Sequence, residues 1–340
     1  MVEWITQVNN TLNGIVWGWP ALILLAFVGV LTSCITRFFQ ISHLGHWMKH
    51  TIGAIFHDSE VTSHTADCSI SQFQSLCTAL AATVGTGNIV GVAGAILVGG
   101  PGAIFWMWVV AFFGMMTNYS ENVLGIFYRR KNELGEWSGG AMYYLRDGLG
   151  AKKGCKTVGK VLAAAFSVFC FLASFGIGNM TQVNSISGNV YSVFGVPTWA
   201  TGIVMLILCG LVIVGGLKRI ATVTEKIVPF MVLIYMVGTI AILVKNFAMI
   251  PAVFTAIFEG AFALKAAGGG IVGYGIKLAI EQGMKRGVFS NEAGLGSSVM
   301  VHSNSNVREP VRQGMWGIFE VFADTMVVCT LTAFTVLSSG

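Results

Sequence analysis

Charge is what this 340-residue sequence has least of: Asp, Glu, Lys and Arg together make up 10% of it, against about a quarter in soluble chains. That shortage excludes an ordinary water-facing surface. The seven cysteines, Cys34, Cys68, Cys77, Cys155, Cys170, Cys209 and Cys329, are scattered among mostly apolar neighbours and form no C-x-x-C pair. They read as small hydrophobes, which excludes a disulfide framework and a cysteine metal module. No Lys or Arg precedes the first apolar run, only Glu3, so the basic region of a secretory signal is missing and that run is expected to stay as a span. What is abundant is apolar: 54% hydrophobic residues and a mean hydropathy of +0.73 describe a polytopic, all-α membrane protein. Glycine, at 43 residues, serves close helix packing in lipid and also breaks helices there, and composition does not choose between these uses.

Eight apolar stretches reach the length needed to cross a bilayer. They are about 17–39, 74–98, 102–119, 161–183, 199–217, 227–244, 254–281 and 315–337, the third short and the seventh weakly apolar. All Lys and Arg except Lys245, Lys265 and Lys277 then fall in alternate loops. By the positive-inside rule those loops are cytoplasmic, the N-terminus is outside, and the protein sits in the plasma (inner) membrane. The same topology accounts for the net charge of +5, so no nucleic-acid partner is invoked. The segment from Glu121 to Lys160 reads as a basic connecting loop, or as one whose Tyr143 and Tyr144 lie at the membrane surface.

The second stretch is interrupted at Gly85, Thr86, Gly87 and Asn88. Glycine costs about 1 kcal/mol in a helix relative to alanine, and irregular backbone at membrane depth is tolerated only where protein buries it or it lines a cavity. The seventh stretch carries a second glycine-rich centre, Ala266 to Gly275. Five crossings separate them, so they run in opposite directions, as in inverted-repeat transporters with a midplane site. On that reading residues 1–68 hold an extra span and loop, 69–245 a first five-span repeat, and 246–340 the first two spans of a second, incomplete repeat. About three further spans are expected beyond Gly340.

Several motifs carry a family resemblance. Ser71-Gln-Phe-Gln-Ser, Thr78-Ala-Leu-Ala-Ala-Thr-Val-Gly-Thr-Gly-Asn-Ile, Gly99-Gly-Pro-Gly-Ala-Ile-Phe-Trp-Met-Trp108 and Arg286-Gly-Val-Phe-Ser-Asn-Glu-Ala-Gly-Leu-Gly-Ser297 resemble the alanine/glycine:cation symporter family. Gly178-Asn-Met-Thr-Gln-Val-Asn184 and Val311-Arg-Gln-Gly fit the same family. The resemblance covers nearly the whole chain from Trp17 and implies a leucine-transporter-like 5+5 fold with eleven spans. It further implies sodium-coupled uptake of small neutral amino acids, alanine or glycine, with sodium as coupling ion and no cofactor. Under that implication the substrate carboxylate meets the amides of Thr86 and Gly87 at a helix start, and the ammonium meets carbonyls opened around Gly268, Gly269, Gly270 and Gly273. Gln182 and Asn179 in the fourth span are further substrate contacts, or else interhelical hydrogen-bonding residues. Sodium takes carbonyls of Ala81, Thr83 and Val84 with the Asn88 side chain, which can equally cap the second half-helix.

Asp324 inside the last span is a cation-site candidate, or a structural partner of Lys265, Lys277 or a backbone group. Glu320, one turn earlier, reaches towards the cytoplasmic interface. The stretch from Ser290 to Ser297 reads as a cytoplasmic gate or packing element. His43, His46, His50, His57 and His64 cluster in a polar loop without the context of metal ligands, and His302 stands apart. No nucleophile with a base points to an enzyme, and the glycine spacing at 85–91 departs from the dinucleotide fingerprint. An ion or solute channel built on the same broken helices is the alternative function.

Overall fold

The computed structural model describes residues 2–63, 69–133, 135–176, 178–262 and 269–339. The chain begins with α1 (Val2–Val16) and α2 (Trp19–Ile35), followed by short helical turns through Thr62. Next come α3 (Gln72–Thr83) and α4 (Gly87–Gly99), which are bent by 50° against each other. The long α5 (Gly102–Tyr128) leads into a small hairpin of β1 (Arg130–Lys131) and β2 (Trp137–Ser138). α6 (Lys156–Ser174), α7 (Met180–Phe194), α8 (Thr198–Ile213) and α9 (Gly216–Lys245) follow, then α10 (Ile250–Phe262), α11 (Gly269–Asn291), α12 (Ser298–His302) and α13 (Pro310–Ser339). Among the described residues five helices are long and apolar enough to cross a membrane, or six when the bent α3–α4 pair counts as one. The protein is a polytopic helical membrane protein.

α5 is the central post, with α2, α10, α11 and α13 packed on it. Small residues let the backbones approach. A Cβ on Gly102 would lie 2.2 Å from the Gly260 carbonyl carbon in α10, and one on Gly283 in α11 would lie 2.3 Å from the Ala103 carbonyl oxygen. Much of the glycine is therefore spent on helix contact. These contacts also set depth. Gly99 and Ala103 sit level with Leu278, Gln282 and Gly283, Gly114 with Asn291 and Ala293, and Gly125 with Val299 and Ser303. α11 thus runs alongside α5 in the same direction and ends halfway down it, while α12 continues towards the end marked by Arg129, Arg130 and Lys131.

Two spans differ from the sequence reading. The fourth is divided between α6 and α7, with Asn179 in the junction. The seventh is replaced by α10, which packs across the start of α5 through the Phe105–Phe258 and Phe105–Phe262 ring contacts, and by the separate α11. Lys285 and Arg286, expected in a loop, lie within α11; Lys285 pairs with Glu281 at 2.5 Å, one turn back. The connecting segment after α5 is not a free loop. Arg129 stacks 4.0 Å over the Trp137 ring and donates to the carbonyls of Ser303, Ser305 and Val307, while Gly139 and Gly140 pack on Ser303 and Met300.

Candidate functional site

α3 starts on a capping box. The Ser71 hydroxyl accepts from the Gln74 amide at 3.1 Å and the Gln74 side chain accepts from the Ser71 amide at 3.0 Å. The helix stops because Val84 turns extended, φ −80 and ψ 100. The next two amides, which would otherwise donate to Ala81 and Ala82, are held by side chains instead. Gly85 N donates to Asn88 Oδ1 at 2.8 Å, and Thr86 N donates to Gln182 Oε1 at 3.2 Å. The carbonyls of Ala81 and Ala82 are thereby left without their helical donors. A Cβ at 85 would lie 2.5 Å from Gln182 Nε2, so glycine there leaves the Gln182 side chain its place on the Thr86 amide.

Asn88 is fully buried and works in both directions. Its amide nitrogen donates to Asp324 Oδ1 at 2.7 Å and to Ser290 Oγ at 3.0 Å. Ser290 and Thr325 hydroxyls each donate to Asp324 Oδ2 at 2.8 Å, and Asn291 donates to Thr325 at 3.1 Å. Asp324 is 0% exposed, and among the described residues no Lys or Arg pairs with it. Lys277, one of its expected partners, is exposed, and Lys265 lies outside the described residues. A buried carboxylate without a counter-charge is costly, and three hydrogen-bond donors offset only part of that cost.

The interruption facing Gly85–Asn88 lies at residues 292–297. There the Ala293 amide donates to Asn291 Oδ1 at 3.1 Å and the Gly294 amide to Glu121 Oε2 at 3.2 Å. Both would otherwise continue α11 by bonding to Phe289 and Ser290. Each break is therefore opened by the same device, an asparagine of the break together with a side chain from another helix. Glu292, Gly294 and Gly296 carry the positive φ angles, 54, 90 and 75, that turn the chain. The two breaks touch: a Cβ on Gly87 would lie 3.5 Å from Ser290 Cα and 3.7 Å from the Phe289 ring.

Thr86, Gly87, Asn88, Gln182 and Asp324 thus gather at one place with the end of α3, which carries Ala81, Thr83 and Val84. Asn179 does not join them; it is exposed and leans on the Ser174 carbonyl at 3.5 Å. Gly268 lies outside the described residues. Gly269, Gly270 and Gly273 occupy the first turns of an unbroken α11, about 25–30 Å from Ser290 at 1.5 Å per residue. Of the break expected from Ala266 to Gly275, the described part from Gly269 onwards is helical, and Ala266 to Gly268 lie outside the described residues. The stretch from Ser290 to Ser297, read as a cytoplasmic gate or packing element, starts against the middle of α5, with Ser290 and Asn291 each 1% exposed. Glu121 lies two residues past the end of the third apolar stretch at Tyr119; Asn118, Glu121 and Asn122, polar residues at helical intervals around that end, are its signal in the sequence.

A cavity of about 70 Å³ opens beside the first break, lined by Val84, Gly85, Asn88, Ile89 and, from α9, Val232 and Tyr235. Tyr235 and Thr332 hydroxyls meet at 2.5 Å at its rim. Among the described residues no group of three or more His, Cys, Asp or Glu side chains is arranged to hold a metal ion.

The sodium:alanine symporter family model matches residues 2–340. The sodium/alanine symporter AgcS of Methanococcus maripaludis is 45% identical over 331 residues, covering 97% of this chain and 70% of that protein. A transporter of Haemophilus influenzae is 41% identical over 337 residues, 99% of this chain and 70% of its own length. The putative sodium/proton-dependent alanine carrier protein YrbD of Bacillus subtilis is 39% identical over 330 residues, 97% of this chain and 64% of its own.

Proposed function

Because the chain belongs to the sodium:alanine symporter family, we propose that it couples inward sodium movement to the uptake of small neutral amino acids, alanine and glycine, by alternating access around the meeting point of its two broken helices. One observation carries the reading: at each break two backbone amides are turned from helical carbonyls to side chains, and the two breaks are in contact. An amino acid needs donors for its carboxylate and acceptors for its ammonium within a few ångströms of each other. The amides of Thr86 and Gly87 at the start of α4 supply the donors, with the favourable end of the helix dipole behind them. The carbonyls of Phe289 and Ser290, relieved of their helical donors, supply the acceptors.

Gln182 Oε1 holds the Thr86 amide in the position a carboxylate oxygen would take, so substrate entry displaces it and leaves its amide group free to donate. Sodium takes oxygen ligands, and the released Ala81 carbonyl, the neighbouring Thr83 and Val84 carbonyls, Asn88 Oδ1 and the Asp324 carboxylate offer them. The ion supplies the positive charge that the buried Asp324 lacks. The cavity of about 70 Å³ at the break favours a small side chain. The basic end of the bundle faces the cytoplasm of a plasma (inner) membrane protein, which places the N-terminus outside.

The test is uptake of labelled alanine and glycine into proteoliposomes with and without an inward sodium gradient. Saturable uptake driven by the gradient is expected. Flux that does not saturate and ignores sodium would overturn the reading in favour of a channel.

A further inference from the structure

A second buried polar group lies one helical turn from Asp324, towards the basic end. Glu320 on α13 is 0% exposed and its Oε2 accepts from His302 Nε2 at 3.0 Å and from Asn118 Nδ2 at 3.0 Å. His302, the last residue of α12, is also 0% exposed, and Gln313 Nε2 contacts its other ring nitrogen, Nδ1. Asn118 is held in turn by Ser298 and Asn122. Three oxygens of this group have no hydrogen-bond partner: Glu320 Oε1, Gln313 Oε1 and Asn122 Oδ1. Burying a polar oxygen without a partner costs about 1–3 kcal/mol, and of the three the Gln313 oxygen can gain one by rotation of its amide towards His302 Nδ1.

The surroundings of the dyad are short of free positive charge. The elements packed against the dyad carry Tyr119, Glu121 and Arg129 on and after α5, Cys77 on α3, Glu292 in the second break, and Glu309, Arg312 and Asp324 on and before α13. His46, Lys49 and His50 lie on the short helical turns that pack on α13. Glu121, Glu292 and Asp324 are all close enough to couple electrostatically to Glu320. The cations are committed elsewhere: Arg129 to three carbonyls, Arg312 to Asp58 and Glu309, while Lys49 is exposed. Among the described residues His302 is the one group beside Glu320 that can become positive. The donors around it include ring and amide nitrogens, a poor cage for an ion that takes only oxygen ligands.

We propose that the buried His302–Glu320 dyad is a proton-binding site: the ring, already donating from Nε2 to Glu320, takes up one further proton at Nδ1, and the neutral pair this makes clamps α12 against α5 and α13. With Gln313 Nε2 at Nδ1 the ring is neutral and donates from Nε2, so the dyad keeps one negative charge. Rotating the Gln313 amide by half a turn presents its oxygen to Nδ1. The ring then carries hydrogens on both nitrogens, donates to Glu320 and Gln313 together, and the dyad is neutral. The glutamine is the element that accommodates both states. Because His302 ends the short helix beyond the second break, loss of the proton weakens the hold on the half of that broken helix nearest the basic end. This step is separate from the sodium site assigned above and does not rest on it.

The test uses the detergent-solubilised chain labelled at histidine nitrogens, followed by NMR of the ring and by pH-difference infrared spectra of the carboxyl groups. The chain has six histidines, so the His302 signal is assigned by its loss in His302→Gln and the Glu320 band by its loss in Glu320→Gln. Because Glu320 accepts from the same ring that takes up the proton, the two signals should follow one pH curve, identical in sodium and in choline salts. Two independent curves, no change in either signal while the protein stays folded, or displacement of the curve by sodium would overturn the proposal. Gln313→Met keeps side-chain volume and removes the adapting amide, so it serves if the other variants fail to fold. It should displace both signals together, and an unmoved curve in that variant would also overturn it.

Discussion

Asn88 and Asp324, 236 residues apart in sequence, meet at 2.7 Å with neither exposed. The contact fastens the first broken helix to α13 through a neutral donor, which brings no counter-charge to the carboxyl group. Hydrogen bonds to a charged group are worth about 1.5–3 kcal/mol each, which lets a buried carboxylate persist but leaves it ready to attract a cation.

Asp324→Asn keeps the shape of that contact and removes the charge. The variant should fold and lose most of its response to sodium, with the half-saturating sodium concentration for alanine uptake rising about tenfold or more, equivalent to about 1.4 kcal/mol. A sodium titration in proteoliposomes reads this directly, and a wild-type curve would remove Asp324 from the cation site.

Gly85→Ala places a methyl 2.5 Å from Gln182 Nε2 and drives that side chain off the Thr86 amide. Gln182→Ala removes the same contact from the other side. Each takes the Gln182 amide group away from the place where it would donate to bound substrate, so each should weaken alanine binding by about tenfold, and the double variant should be little worse than either alone. Additive losses would mean that the two residues act separately.

At Gly87 the added atom meets Ser290 Cα at 3.5 Å and the Phe289 ring at 3.7 Å, ordinary contact distances. Gly87→Ala should therefore keep measurable substrate binding, while Gly87→Leu fills the junction of the two breaks and abolishes it in a protein that still elutes as a folded species. Binding by the leucine variant equal to wild type would move the substrate elsewhere.

Packing predicts a contrast between two other glycines. Gly102→Ala drives a methyl into the Gly260 backbone at 2.2 Å and should cost about 1–3 kcal/mol, seen as a lowered melting temperature. Gly188 in α7 has nothing within 4 Å. Gly188→Ala should leave the melting temperature unchanged or raise it slightly, since alanine is the better helix former.

The sequence by itself determined the solvent this protein lives in, the α-helical class, and the first break. Scarce charge and long apolar runs admit only helices whose backbone groups are satisfied within the segment, and Gly85, Thr86, Gly87 and Asn88 interrupt such a run where nothing else explains them. Only the tertiary structure decided where the second break falls. Glycine content is a local tendency, and α11 runs through Gly269, Gly270 and Gly273. It ends at Asn291, where Asn291 and Glu121, the latter 173 residues from Gly294, take the next two donors. A helix stops where another acceptor reaches its backbone, and which acceptor arrives depends on how distant segments pack.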